Sequence, residues 1–184
     1  MNLFGWKSRR AARLDLARPA IWWGAMPPDP PRDYATRVRA AYGANAIAQR
    51  ACRMIADAVG GAPLIAEGDG VEALLRARSG GQHLLETAAT QLLLHGNAYV
   101  QILPDAEGTK PGELYALRPD RATISLDARG WPLALAYRVG GEAVQLPFEE
   151  ASGRIAITHI RLQHPIDDHY GMGVLDAADD AVRL

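Results

Sequence analysis

Three histidines, His159, His164 and His169, recur at intervals of five residues, and Asp167 and Asp168 stand between the last two. Imidazoles and carboxylates together are good ligands for zinc, manganese or iron, and a metal held by them would activate water for hydrolysis. The spacing works against a ready-made site. A period of five sends successive side chains to opposite faces of a strand, and Pro165 interrupts any helix. A loop can still gather all five groups. Two readings therefore stand at this point: a metal-dependent hydrolase, or a strand-end histidine and a turn in which the Asp pair caps the approach to Gly171.

Other residues offer less chemistry. The sequence holds no GxSxG elbow, no P-loop lysine motif, no GxGxxG and no HExxH. Neither a catalytic nor a cofactor-binding residue is therefore expected. The single cysteine, Cys52, excludes an intramolecular disulfide and a cysteine-only zinc site. Its place in an amphipathic segment marks it as a small core residue. Arg9, Arg10 and Arg13 lie in a basic stretch, residues 7–18 (KSRRAARLDLAR), able to contact phosphates with release of counterions. That stretch lacks the interleaved aromatics of a single-strand or RNA binder, so a solvated arm is the competing reading. Trp22 and Trp23 follow with no periodic apolar neighbours; they either dock on their own subunit's core or anchor the arm to a neighbour.

The elements that must position these residues follow from periodicity. Residues 1–31 read as a basic, proline-rich arm, because Pro19 and Met26–Pro31 (MPPDPP) exclude helix and central strand. Residues 32–184 read as one α+β domain. Asn45 is the expected N-cap of a helix over 46–59, with Ile47, Ala51, Met54, Ile55, Ala58 and Val59 as its apolar face and Gly60-Gly61 as a left-handed stop. A strand is expected over Pro63–Glu67, a short helix around Leu74–Leu75, and a long buried helix from Gln82 to His95 closed by Gly96. Strands are then expected over 97–103, 113–117, 123–126, 133–139, 142–146 and 154–160, with Gly140-Gly141 as a two-residue hairpin turn. The result is a set of N-terminal helices packed on a mostly antiparallel sheet of short strands. A last helix starts at Val174 and is still running at Leu184, as in a truncated chain.

Composition agrees with a folded domain and narrows the partners. The 184 residues are 48% hydrophobic and 22% charged, which excludes disorder of the whole chain. No apolar run approaches the roughly 18 residues of a membrane span. The nearest, Thr87 to Leu103, is broken by Gln91, His95, Gly96, Asn97 and Gln101. Residues 1–53 carry ten basic and three acidic groups (+7), and residues 54–184 carry ten and eighteen (−8), which sum to the net −1. A chain so polarised presents one end to an anionic partner or to an acidic face of its own copy. Eighteen of the twenty basic residues are arginine, a bias that GC-rich coding produces without any nucleic-acid role.

At Leu92–Val100 (LLLHGNAYV) the chain resembles the HK97-type phage portal protein family, in which a leucine-rich helix runs into a glycine-asparagine-aromatic turn. Further segments are similar in the same order. Arg53–Leu64 (RMIADAVGGAPL) resembles the family's early helix. Glu113–Asp120 (ELYALRPD) resembles its Leu-Arg-Pro turn, with Arg118, Pro119 and Asp120. Thr158–Arg161 (THIR) resembles the strand that carries His159. Asp168–Leu175 (DHYGMGVL) resembles the turn with Tyr170 and Gly171 that leads into a helix. These motifs span residues 45–184. The roles that physics gives Gly96 and Asn97 within them are structural, a sharp helix stop and a side chain bonding freed backbone, and Tyr99 falls in the strand pattern that follows. The family's Ser-Pro is here Gly173-Val174, which removes an N-cap that Asp167, Asp168 or Asp176 would have to replace.

The resemblance implies a non-enzymatic protein without cofactors. It implies a homo-oligomeric ring, usually a dodecamer, at one vertex of a phage or gene-transfer-agent capsid assembled in the bacterial cytoplasm. Double-stranded DNA would pass through the ring without sequence preference. The implied partners are the major capsid protein, the terminase large subunit and the head-tail adaptor, with no membrane. The part resembled is the wing; stem, clip and crown would lie beyond Leu184.

Overall fold

Asn45 caps the helix that runs from Ala46 to Gly60. Its Oδ1 accepts from the N–H groups of Ile47 and Ala48 at 3.0 Å each, which satisfies two donors that the first turn leaves unpaired. The computed structural model describes residues 34–68 and 70–178 of the chain. The expected arm, with Arg9, Arg10, Arg13, Trp22 and Trp23, lies outside these residues. Helix α1 (Tyr34–Val38) passes into a π-turn (Arg39–Gly43), whose wider loop is closed by the Ala44 N–H donating to the Arg39 carbonyl at 2.8 Å. Helix α2 (Ala46–Gly60) follows.

Two expectations for α2 are overturned. Its buried face is Ala48, Cys52 and Ala56, at intervals of four. Ile47, Met54, Ile55 and Val59 all face outward, Ile47 at 84% exposure. The helix offers two apolar stripes, and the stripe of small residues is the one that lets a neighbouring helix come close. The two helices are close at Gly60, where a Cβ would stand 3.2 Å from Cβ of Glu86. The helix also stops without a left-handed residue: Gly61 has φ −88°, and its N–H donates to Asp57 and Val59 carbonyls.

Residues 63–66 form no strand; they have no pairing partner among the described residues, and Ile65 is fully exposed. Helix α3 (Val71–Arg76) is followed by a small hairpin, β1 (Arg78–Ser79) with β2 (Gln82–His83), turned by Gly80-Gly81 at positive φ. The hairpin takes Gln82 and His83 from the expected helix, so α4 begins at Leu84 and ends at His95. Leu84, Ala88, Ala89, Gln91 and His95 are its buried positions.

The strands form two three-stranded antiparallel sheets where a single one was expected. In the first, β3 (Asn97–Pro104) lies between β4 (Pro111–Leu117) and β8 (Ile157–Arg161). In the second, β6 (Pro132–Val139) lies between β5 (Ala122–Leu126) and β7 (Glu142–Pro147). The break falls at the one-turn 3₁₀ helix Pro119–Arg121, because Pro119 has no N–H to continue the β4 ladder. Gly140-Gly141 makes the expected two-residue turn, with Val139 opposite Glu142. Both sheets share one core: Tyr99, Leu117 and Ile157 meet Ala122, Ile124 and Leu135, with Tyr170 added from the segment after β8. A second cluster joins Ala41, Ala48 and Cys52 to Leu175 of α5 (Val174–Ala177). Among the described residues no helix is long and apolar enough to cross a membrane.

Candidate functional site: the crossing at Gly96 and Asn97

Two backbone segments far apart in sequence meet at the junction of α4 and β3. Gly96 ends α4 in the left-handed conformation, φ +70°, with its N–H donating to the Leu92 carbonyl at 2.8 Å. The returning segment, Gly171-Met172-Gly173, crosses directly over it. A Cβ on Gly171 would fall onto the Gly96 carbonyl and stand 2.7 Å from that of Leu162, and one on Gly173 would stand 2.9 Å from the Leu94 carbonyl carbon. Only three glycines allow backbone to lie on backbone in this way.

Asn97, 1% exposed, fastens the crossing. Its Nδ2 donates to the carbonyls of His95 (2.9 Å) and Gly171 (3.1 Å). Its Oδ1 accepts from the Gly171 N–H (2.8 Å) and lies 2.9 Å from Nε2 of His159. Both donors and both lone pairs are thus used, and the two carbonyl partners fix which end of the amide is nitrogen. An accepting Oδ1 requires Nε2 of His159 to carry the proton. The His159 ring stacks on Tyr99, centroids 4.4 Å apart. Burial, and then the positive charge of Arg161 with His169 and His95, pushes its pKa down to about 4, so the imidazole is neutral. Burial also raises the Tyr99 phenol, with the charges of Tyr170 and Asp167 adding to it and Arg161 opposing.

The segment after β8 is held by its own side chains. Asp167 Oδ1 accepts from the N–H groups of His169 (2.7 Å) and Tyr170 (2.8 Å). The Tyr170 hydroxyl accepts from the Ile124 N–H at 2.9 Å and so ties the crossing to the second sheet. At α5, Asp176 Oδ2 accepts from the Gly173 N–H at 3.0 Å. That is half a capping box, the other half being impossible for a glycine. It supplies the replacement that Gly173-Val174 calls for.

The three histidines do not converge. His159 serves Asn97, His164 Nδ1 accepts from the Ile166 N–H at 3.2 Å, and His169 uses its backbone N–H on Asp167. Among the described residues no three His, Cys, Asp or Glu side chains form a group able to hold a metal. The hydrolase reading loses its support. Arg118-Pro119-Asp120 does turn the chain, and the Asp120 carboxylate accepts from Nε and a terminal nitrogen of the Arg118 guanidinium at 3.0 and 2.7 Å. Cys52 is buried, and burial raises its thiol pKa. The crossing is a lock, with no hydrogen-bonding group of Asn97 left over for a substrate. The tie of Tyr170 to Ile124 carries no local sequence signal.

The family model described as "Phage portal protein" matches residues 46–184, both arms of the crossing included. The chain belongs to the phage portal protein family. No curated protein matches it at a comparable level. Solved structures do. A chain in the neck of a native GTA particle with C12 symmetry is 34% identical, with a TM-score of 0.74 over 86% of this chain and 44% of that one. A chain of the virion of a native gene transfer agent particle is 32% identical, TM-score 0.75, over 96% and 46%. One from the neck of an empty GTA particle with C6 symmetry is 33% identical, TM-score 0.76, over 86% and 45%. This portal-family chain therefore spans less than half the length of the chains it matches. The α+β architecture expected from the sequence is the one shared with them.

Proposed function

We propose that the chain works as a structural portal protein, contributing the wing of a ring at one capsid vertex of a phage or gene-transfer-agent particle. Double-stranded DNA passes through that ring during packaging and ejection. The supporting observation is the family match over residues 46–184 together with 32–34% identity to chains of gene-transfer-agent particles, two of them necks with C12 or C6 symmetry. The geometry is consistent with a load-transmitting part. The crossing is a fully hydrogen-bonded lock in which backbone lies on backbone, and Tyr170 links it to the second sheet. Such a network favours one rigid arrangement over many.

The ring is a homo-oligomer, twelvefold in the neck that this chain resembles. A cyclic ring joins one surface of each subunit to a different surface of the next, which suits a chain with its charge divided +7 and −8. In this reading the major capsid protein surrounds the ring, the terminase docks on it during packaging, and the head-tail adaptor replaces the terminase afterwards. No chemistry is assigned to the chain itself. Gold-labelled antibody against the chain, applied to particles opened at their vertices, tests the proposal. Label at a single vertex is expected. Label absent from particles, or spread over every vertex, would overturn it.

A further inference from the structure

The two three-stranded sheets have four outer edges, and two of these are already occupied. An edge strand turns the N–H and C=O of every second residue away from its neighbour, and such groups are a template for a further strand. The β1–β2 hairpin lies against β4, with the Ser79 hydroxyl bonded to Glu113 and Gly80 beside the Tyr115 ring. On β5 the outward N–H of Ile124 is taken by the Tyr170 hydroxyl. The edges of β7 and β8 have no such cover among the described residues.

The registers identify the open groups. Val139 and Glu142 close the Gly140-Gly141 turn, so Glu142, Val144 and Leu146 bond inward to β6, and Ala143 and Gln145 point outward. On β8 the Ala156 carbonyl and the Leu162 N–H bond to β3. Thr158 and Ile160 therefore bond inward, and His159 and Arg161 point outward. The open stretches also end alike. Pro147 has no N–H to offer, and the Ile157 N–H is already given to the Phe148 carbonyl. Laid antiparallel, Ala143 meets Arg161 and Gln145 meets His159, each pair exchanging both backbone bonds. Between them Val144 and Ile160, 48 and 42% exposed, become a close side-chain pair. The nearby charges do not oppose this register. Arg161 faces Ala143, Arg138 lies one strand further away at about 10 Å, and Glu142 stands one residue along β7.

Pairing like with like, β7 on β7 or β8 on β8, makes a two-fold contact that closes at a dimer. A ring of more than two copies has to join different surfaces, so the inference rests on the ring proposed above. We propose that β7 of one copy adds to β8 of the next, antiparallel and with Val144 opposite Ile160. The second sheet of one copy then continues the first sheet of its neighbour.

The test is Val144→Cys/Ile160→Cys in the protein that carries this chain, isolated from particle-producing cells and oxidised. Residues paired in this way stand about 4.5 Å apart at Cα, within disulfide reach. A ladder of covalent multimers is expected in non-reducing gels, with peptide mass spectrometry showing positions 144 and 160 joined across copies. Either single variant giving a dimer through its own new thiol would overturn the proposal, because it would mean a like-with-like contact. A closed ring in native mass spectrometry without the 144–160 link would overturn the pairing and leave the portal reading standing. A protein that stays monomeric and unlinked would overturn both. Hydrogen exchange on the unaltered protein covers a variant that fails to fold. The amides of Ala143, Gln145 and Arg161 are expected to exchange at least about tenfold more slowly in the ring than in dissociated subunits. Equal rates would contradict the pairing.

Discussion

Replacing Asn97 by alanine removes four hydrogen bonds at once and leaves their partners in a dry interior. The carbonyls of His95 and Gly171, the Gly171 N–H and the Nε2–H of His159 each lose their bond to Asn97. A net loss of about 1 kcal/mol per bond, with more for each group stranded without water, gives about 4–6 kcal/mol. Set against a domain stability of about 5–15 kcal/mol, that is close to half of it. With a urea slope of about 2 kcal/mol per molar, the unfolding midpoint should fall by about 2–3 M. Asn97→Asp sharpens the test. Its carboxylate keeps both acceptor bonds but points an oxygen at two carbonyls, so it should lose nearly as much stability as Asn97→Ala. Urea titration followed by tryptophan fluorescence and far-UV circular dichroism measures both. A loss below about 1 kcal/mol for Asn97→Ala would refute the reasoning, because it would mean that the crossing holds without its amide.

Gly171→Ala should be at least as damaging, since its Cβ would enter the backbone of Gly96 and Leu162; a thermal midpoint within a few degrees of wild type would contradict the close approach. Stability should also fall with acid through His159. Its folded pKa of about 4 lies below the ordinary 6.5, so the unfolded chain binds the proton first. The contribution is present above about pH 6.5, is lost as pH falls toward 4, and amounts to about 3 kcal/mol. Urea titrations at pH 7 and 4.5 on wild type and His159→Gln check this, with the variant expected to lose that part of the pH dependence. Tyr170→Phe keeps the ring and strands the Ile124 N–H, at about 1–2 kcal/mol, and faster amide exchange at Ile124 is the expected signature.

Features set by neighbouring residues were legible in the sequence. Asn45 caps α2, Gly96 stops α4, Gly140-Gly141 turns a hairpin, and Asp167 holds the turn before Gly171, because each is decided within about four residues. The portal motifs were legible as order along the chain. What failed depended on distant partners. The apolar stripe of α2 that looked like core faces outward because the alanine and cysteine stripe fits the neighbouring helix more closely. Residues 63–66 have strand composition but no strand to pair with. Tyr170 reaches Ile124 across 46 residues of chain, and no local pattern announces such a bond.

The proposed function requires the protein that carries this chain to form a closed ring. Native mass spectrometry of the protein isolated from particle-producing cells, with light scattering alongside, measures it most directly. A single closed oligomer is predicted, of twelve copies if it follows the C12 neck that the chain resembles. A protein that remains monomeric at every concentration would contradict the account.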